Sequence, residues 1–292
     1  MKRRTVLGLG LVGVGASTSL IDISEDPPLH TLAPCPGLAW SGLLRTSPKL
    51  DQTLTITGAW PTSLRGTLYR NGPGRLERGG AWKRSLLDAD RDGVGAPRRL
   101  EHDPVLFLHG INSFDDGDDV GDDLITYDKP SALFGANALL ANVAADTLDR
   151  SVAPGRTARW RLSPGTGKVR SEPLPFTDCE MPALRPADVG NPYTSAWAVT
   201  GSSVPVVFFH GVARLDLGTG RVDRFDDGPQ VFLSEPAPTA DGHMLVHGLD
   251  AVQDRSFLAV FRAAEIAAGP VATAWLDRGV HPGFHGCWDA LA

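Results

Sequence analysis

The chain has 292 residues, enough for one large domain or two ordinary ones with a sizeable core. Apolar residues make up 42% and charged residues 21%, which excludes global disorder, and a net charge of −6 lacks the basic footprint of a nucleic-acid surface. Gly (33) and Pro (23) fill about a fifth of the chain, turn chemistry that disfavours a helical bundle and favours many short strands.

Residues 1–17 read MKRRTVLGLGLVGVGAS. A basic start, an apolar Gly-rich stretch and then small residues have the layout of a secretory signal. Arg3 and Arg4, followed by Thr5, Val6 and Leu7, resemble a twin-arginine export signal, so the expected location is periplasmic or extracellular. That route carries folded proteins, so a metal could be loaded before export. The run Val6–Ala16 is too short to span a bilayer, which needs about 20 apolar residues. Residues 18–53 are expected to form a Pro-rich, irregular tail, and residues 54–292 the folded domain.

From Leu54 onward, short apolar or alternating runs are separated by turn signals. Strands are expected at Leu54–Ile56, Gly66–Tyr69, Val105–Leu108, Ala158–Leu162, Val204–Phe209, Gly211–Leu217, Met244–Leu249 and Phe257–Phe261. Asn71-Gly72-Pro73-Gly74, Pro164-Gly165-Thr166-Gly167, Gly218-Thr219-Gly220 and Asp241-Gly242 mark turns between them. The stretches TARWRLSPGTGKVRSEPL and GVARLDLGTGRVDRF each read as strand, G-T-G turn and strand, and they start about 54 residues apart. That spacing is near the roughly 40–50 residues of a propeller blade. Helix-like composition is confined to Ala132–Asp149 and Ala263–Ala268. The expected class is all-β, a β-propeller, with a sandwich or barrel as the fallback. Cys35, Cys179 and Cys287 are far apart and odd in number, and form neither a CxxC nor a disulfide framework.

Five segments, in order, resemble the carotenoid cleavage oxygenase family of non-haem iron dioxygenases, which includes the lignostilbene dioxygenases. The sequence from Gly58 to Pro73, GAWPTSLRGTLYRNGP, resembles the family signature G-x-x-P-x-x-L-x-G-T-x-Y-R-N-G-P. Leu106–Asp116, LFLHGINSFDD, resembles F-H-x-x-N-A-x-E, whose His is the third iron ligand, here His109. Cys179-Glu180-Met181-Pro182 resembles E-F-P, and Ser234-Glu235-Pro236 resembles E-P-x-F-V. Both Glu residues bind ligand histidines in the family. Pro282–Trp288, PGFHGCW, resembles P-x-x-F-H-G, whose His is the fourth ligand, here His285. The resemblance implies a seven-bladed β-propeller, Fe(II), O2 and an apolar polyene, apocarotenoid or stilbene as substrate. Extraction of such a substrate implies peripheral contact with a membrane.

The interval that carries the family's first two His ligands is nearly absent. Asp88–Gly93 resembles a worn form of the family's D-G-D-G turn, and Arg98 onward already resembles the approach to the third histidine. The joint falls near residues 94–97. A seven-bladed ring needs roughly 300 residues at 40–45 per blade, so the propeller is expected to be incomplete or to close differently.

Neutral imidazoles suit iron, and each needs a fixed partner for its other ring nitrogen, the role the resemblance gives Glu180 and Glu235. His109 and His285 are the candidate metal ligands. Asp115 and Asp116 are close in sequence to His109 but stand where the family has a non-ligand. His243–His247 and His281–His285 have i, i+4 spacing, which on a strand is about 13 Å, too far to share an ion. His102 is expected at the surface, and His30 and His210 carry no motif. Asp88-Ala89-Asp90-Arg91-Asp92-Gly93 matches half of a calcium loop, but Arg99 stands where a bidentate Glu is needed. The Asp-rich run Asp115–Asp123 is expected to be a solvated turn. The leading functional expectation is oxidative cleavage of a conjugated C=C bond. The others are a non-catalytic remnant serving as a binding or structural module, and a different metal site built from His109, His285 and a carboxylate.

Overall fold

The computed structural model describes residues 54–70, 87–88, 98–100, 102, 105–128, 154–204, 208–277 and 286–290. The signal-like segment, the tail, the helix-like stretch at 132–149, and His30, His281 and His285 lie outside these. The chain is all-β. In order, the strands are β1 (Thr55–Gly58), β2 (Gly66–Arg70), β3 (Leu87–Asp88), β4 (Arg98–Arg99), β5 (Leu106–Asp116), β6 (Asp119–Tyr127), β7 (Arg156–Ser163), β8 (Lys168–Thr177) and β9 (Cys179–Ala183). They continue with β10 (Ser195–Val204), β11 (Phe208–Asp216), β12 (Arg221–Asp226), β13 (Val231–Leu233), β14 (Ala237–Pro238), β15 (His243–Asp250), β16 (Arg255–Arg262), β17 (Pro270–Trp275) and β18 (Gly286–Ala290). The helix-like Ala263–Ala268 contains only a 3-10 turn, Ile266–Ala268.

Three antiparallel, blade-like sheets follow one another along the chain. The first is β5-β6-β7-β8. The second is β9-β10-β11-β12, and the third runs β13 and β14, β15, β16, β17, with β1 added at the outer edge. A single pair, Phe209↔Leu233, joins the second sheet to the third. β2 pairs with β18, and the short β3 with β4. The described strands do not close into a ring.

The two similar sequence stretches are the outer hairpins of consecutive blades, β7–β8 and β11–β12. Their G-T-G turns have one solution. Gly167 and Gly220 take positive φ of 72° and 69°, which Gly adopts without a Cβ penalty. Their N–H groups return to Ser163 O (2.8 Å) and Asp216 O (2.8 Å). The expected strand Val204–Phe209 is not one strand: β10 ends at Val204, and β11, its antiparallel partner, begins at Phe208.

Burial explains how the blades stack. Ile111, Phe114, Ile125 and Tyr127 of the first blade pack with Phe176, Tyr193, Ala196, Ala198, Ala213 and Leu215. A second core joins Trp197, Val199 and Val212 to Met244, Val246, Phe257 and Phe261. Trp288 of β18 packs with Trp60 and Leu64 over Leu245, Val260 and Ala272. The Asp run is not a solvated turn throughout. Asp123 is fully buried, held by Arg159 Nε and Nη2 at 2.8 Å each and by the Tyr193 hydroxyl at 2.5 Å. Arg159 lies over the Phe114 ring at 5.0 Å.

Candidate metal-binding site

His109 lies on β5, the first strand of the first blade. The β5–β6 register shifts between Phe107 and Gly110 and again between Gly110 and Asn112. Bulges of this kind re-aim one side chain out of the pleat, and they recur beside functional sites. Glu180 lies on β9, the first strand of the second blade, beside a second register shift between Trp197 and Val199. Asp178 and Met181, which bracket it, have positive φ of 54° and 49°, conformations that cost non-Gly residues energy. The turned backbone carries the Met181 N–H back onto Glu180 Oε2 at 2.8 Å.

These two irregular strands bring the expected pair together. His109 Nδ1 hydrogen-bonds Glu180 Oε2. Tyr127, at the end of β6, donates its hydroxyl to Glu180 Oε1. Glu180 is 1% exposed, so both oxygens need donors. Burial alone would lower the pKa of His109, but the hydrogen bond and charge of Glu180, with the charge of Glu235, raise it on balance. Glu235 therefore stands close enough to act on the same imidazole. Burial first, then the Glu180 carboxylate, push the Tyr127 hydroxyl far up, so it remains a donor. Burial and the Glu180 charge likewise raise the Cys179 thiol well above its usual value, which makes it an inert neighbour.

The other candidates lie elsewhere. Asp116 pairs with Arg161 at the β5–β6 turn. Asp88 pairs with Arg98 and Leu87 with Arg99 in an antiparallel hairpin, so a strand stands where a calcium loop would lead into a helix. His210 pairs with Asp226 at 2.9 Å, and His243 with Asp241 at 3.2 Å. His247 approaches Ser234 Oγ at 3.4 Å. His102 is exposed and meets the Trp160 ring edge-on. The position of His285 lies outside the described residues.

An imidazole whose Nδ1 is held by a buried carboxylate has the tautomer and orientation that metal ligation through Nε2 requires. His109 meets that requirement. Among the described residues no group of three or more His, Cys, Asp or Glu side chains is placed to hold a metal. They supply one competent imidazole and not a complete coordination sphere.

A family model described as retinal pigment epithelial membrane protein matches residues 86–290, which includes His109, Glu180, Glu235 and His285. The chain belongs to this family, that of the carotenoid oxygenases. The apocarotenoid-15,15'-oxygenase of Synechocystis sp. is 25% identical over 213 residues, covering 70% of this chain and 42% of the relative. The cobalt-substituted apocarotenoid oxygenase of Synechocystis superposes with a TM-score of 0.59 at 23% identity, over 69% of this chain and 43% of that one. A chimera of that oxygenase with the retinal pigment epithelial protein gives 0.60 at 23% identity, over 69% and 43%. The carotenoid oxygenase chain thus spans 42–43% of the length of these relatives. Its sheets are those of an incomplete β-propeller.

Tyr127 is the member of the site that motif reading misses. It follows His109 by 18 residues in the partner strand of the hairpin, within the run Leu124-Ile125-Thr126-Tyr127. The available signal is a phenol at a core position of that strand, where a buried hydroxyl needs an acceptor.

Proposed function

We propose that the protein is an exported non-haem iron oxygenase that acts on a conjugated C=C bond of a carotenoid, apocarotenoid or stilbene, with His109 and His285 as its iron ligands. The observation that carries this reading is the His109–Glu180 pair, an imidazole locked by a 1%-exposed carboxylate. Iron, when bound, supplies activation of O2. The chain's own residues do the rest. Glu180 fixes the His109 ring, and Glu235 adds negative charge that favours a cation at the same place.

With the segments of two family ligands missing, weak iron binding and slow turnover are the expected behaviour. Bound iron per chain and O2-dependent loss of a stilbene or apocarotenoid chromophore test this, in the wild type and in His109→Ala. The expected result is partial iron and slow cleavage, both lost in the variant. Iron content indifferent to His109→Ala would overturn the ligand assignment. No iron and no cleavage in the wild type would favour the second reading, a non-catalytic propeller-type binding module.

A further inference from the structure

We infer that Tyr127 is a positioning residue for the metal-binding imidazole, acting through Glu180. This rests on the reading of His109 as a ligand.

The Glu180 carboxylate meets three donors. Oε2 receives His109 Nδ1 and the Met181 N–H, and Oε1 receives the Tyr127 hydroxyl. A carboxylate turns about its last bond with little resistance, so the two contacts on Oε2 alone leave that rotation weakly fixed. The Tyr127 bond comes from the opposite oxygen and from a different strand. It sets the plane of the carboxylate, and with it the direction in which Oε2 meets the imidazole. The phenol is itself fixed, because Tyr127 is 6% exposed and packs among Ile111, Ile125, Phe176 and Cys179. The order of restraint is therefore core, phenol, carboxylate, imidazole. It starts from the first blade, crosses to Glu180 on the second, and returns to His109 on the first. Removal of the hydroxyl leaves Oε1 without this donor in a dry site, and the carboxylate then rotates toward whatever donor remains.

Tyr193 provides the internal control. It too is a buried phenol, 8% exposed, and it donates to a buried carboxylate, Asp123 Oδ2, at 2.5 Å. Its bond also joins the first blade to the second, but its carboxylate serves Arg159 and not a histidine.

The test compares Tyr127→Phe and Tyr193→Phe in the purified full chain. Two readouts are taken: histidine-selective nitrogen NMR, which reports the His109 tautomer without metal, and Co(II) titration followed by visible absorption. Both variants are expected to lower the unfolding midpoint by similar amounts. Only Tyr127→Phe should convert His109 from a single Nδ1–H tautomer to a mixture, and weaken Co(II) binding by about 10–100-fold, the usual cost of losing a partner behind a ligand. A Tyr127→Phe chain with the wild-type tautomer overturns the proposal. So does a Tyr193→Phe chain that changes tautomer and affinity equally. If the wild type binds no Co(II), the ligand reading fails, and the tautomer comparison alone still decides whether Tyr127 orients the ring.

Discussion

Single carboxylates on neighbouring positions of β6 have opposite fates, because successive side chains of a strand face opposite ways. Asp123 faces the second blade, where Arg159 and Tyr193 complete its hydrogen bonds. Replacement by Ala leaves the Arg159 guanidinium half-buried without its partner, so Asp123→Ala should cost about 3–5 kcal/mol in urea unfolding. A loss below about 1 kcal/mol would show that the triad is decorative. Asp122 faces away from the second blade, is 9% exposed, and accepts from Ser113 Oγ at 2.5 Å. Burial, aided by the Asp123 charge, pushes its pKa up to about 6. Its folded pKa lies above the unfolded one, so the folded chain holds the extra proton between roughly pH 4 and 6. Stability from this group is present at pH 4 and lost as pH rises through 6. Asp122→Asn should therefore gain roughly 2–3 kcal/mol over wild type at pH 7.5 and little at pH 4. A gain that is equal at both pH values would assign the effect to something other than the charge.

At the scale of elements, one device recurs in every blade. An aromatic ring on one strand lies over a glycine on its neighbour: Phe114 over Gly121, His210 over Gly201, and Phe257 over Gly248. In the first and third blades ring and glycine are direct cross-strand partners. A Cβ at Gly121 would stand 2.7 Å from the Phe114 ring, and one at Gly248 would collide with Phe257. Gly248→Ala should thus displace a buried ring and cost about 1–3 kcal/mol. Gly165→Ala, in a turn with nothing within 4 Å of the added carbon, should stay within about 0.5 kcal/mol. Equal midpoints for the two variants in thermal unfolding would refute the packing argument. The same elements show what a sequence can and cannot reveal. The G-T-G hairpins were legible because their turns need glycine at positive φ, a requirement written in the residues. The break between β10 and β11 was not, since residues 204–208 carry only apolar side chains and proline. His109 and Glu180 were legible from their motifs. Tyr127 was not, because its role depends on a strand that arrives 53 residues later, and no local spacing encodes that meeting.

At the scale of the whole molecule, the blades are not independent units. The face of the first blade turned away from the second is covered, with Leu124, Trp160 and Leu162 buried and His102 over Trp160. The outer strands β8 and β12 carry Lys168, Arg170 and Glu172, and Arg221 and Arg224, charges that discourage edge-to-edge association. The first blade is tied to the second by Tyr193 and Asp123, and the second to the third by Trp197 Nε1 on Ala263 O at 2.8 Å. The His109–Glu180 contact itself crosses from the first blade to the second. A shared core at each junction should make the blades unfold together, whereas a simple array of repeats loses them piecemeal. Trp160, Trp197 and Trp275 mark the first, second and third blades. Fluorine NMR of the chain labelled with fluorotryptophan, followed through a urea titration, should give one midpoint for all three. Separate midpoints would mean that the first blade can leave while the second stays folded. His109 would then part from Glu180 before the molecule unfolds, and the pair would owe its geometry to a junction weaker than the blades it joins.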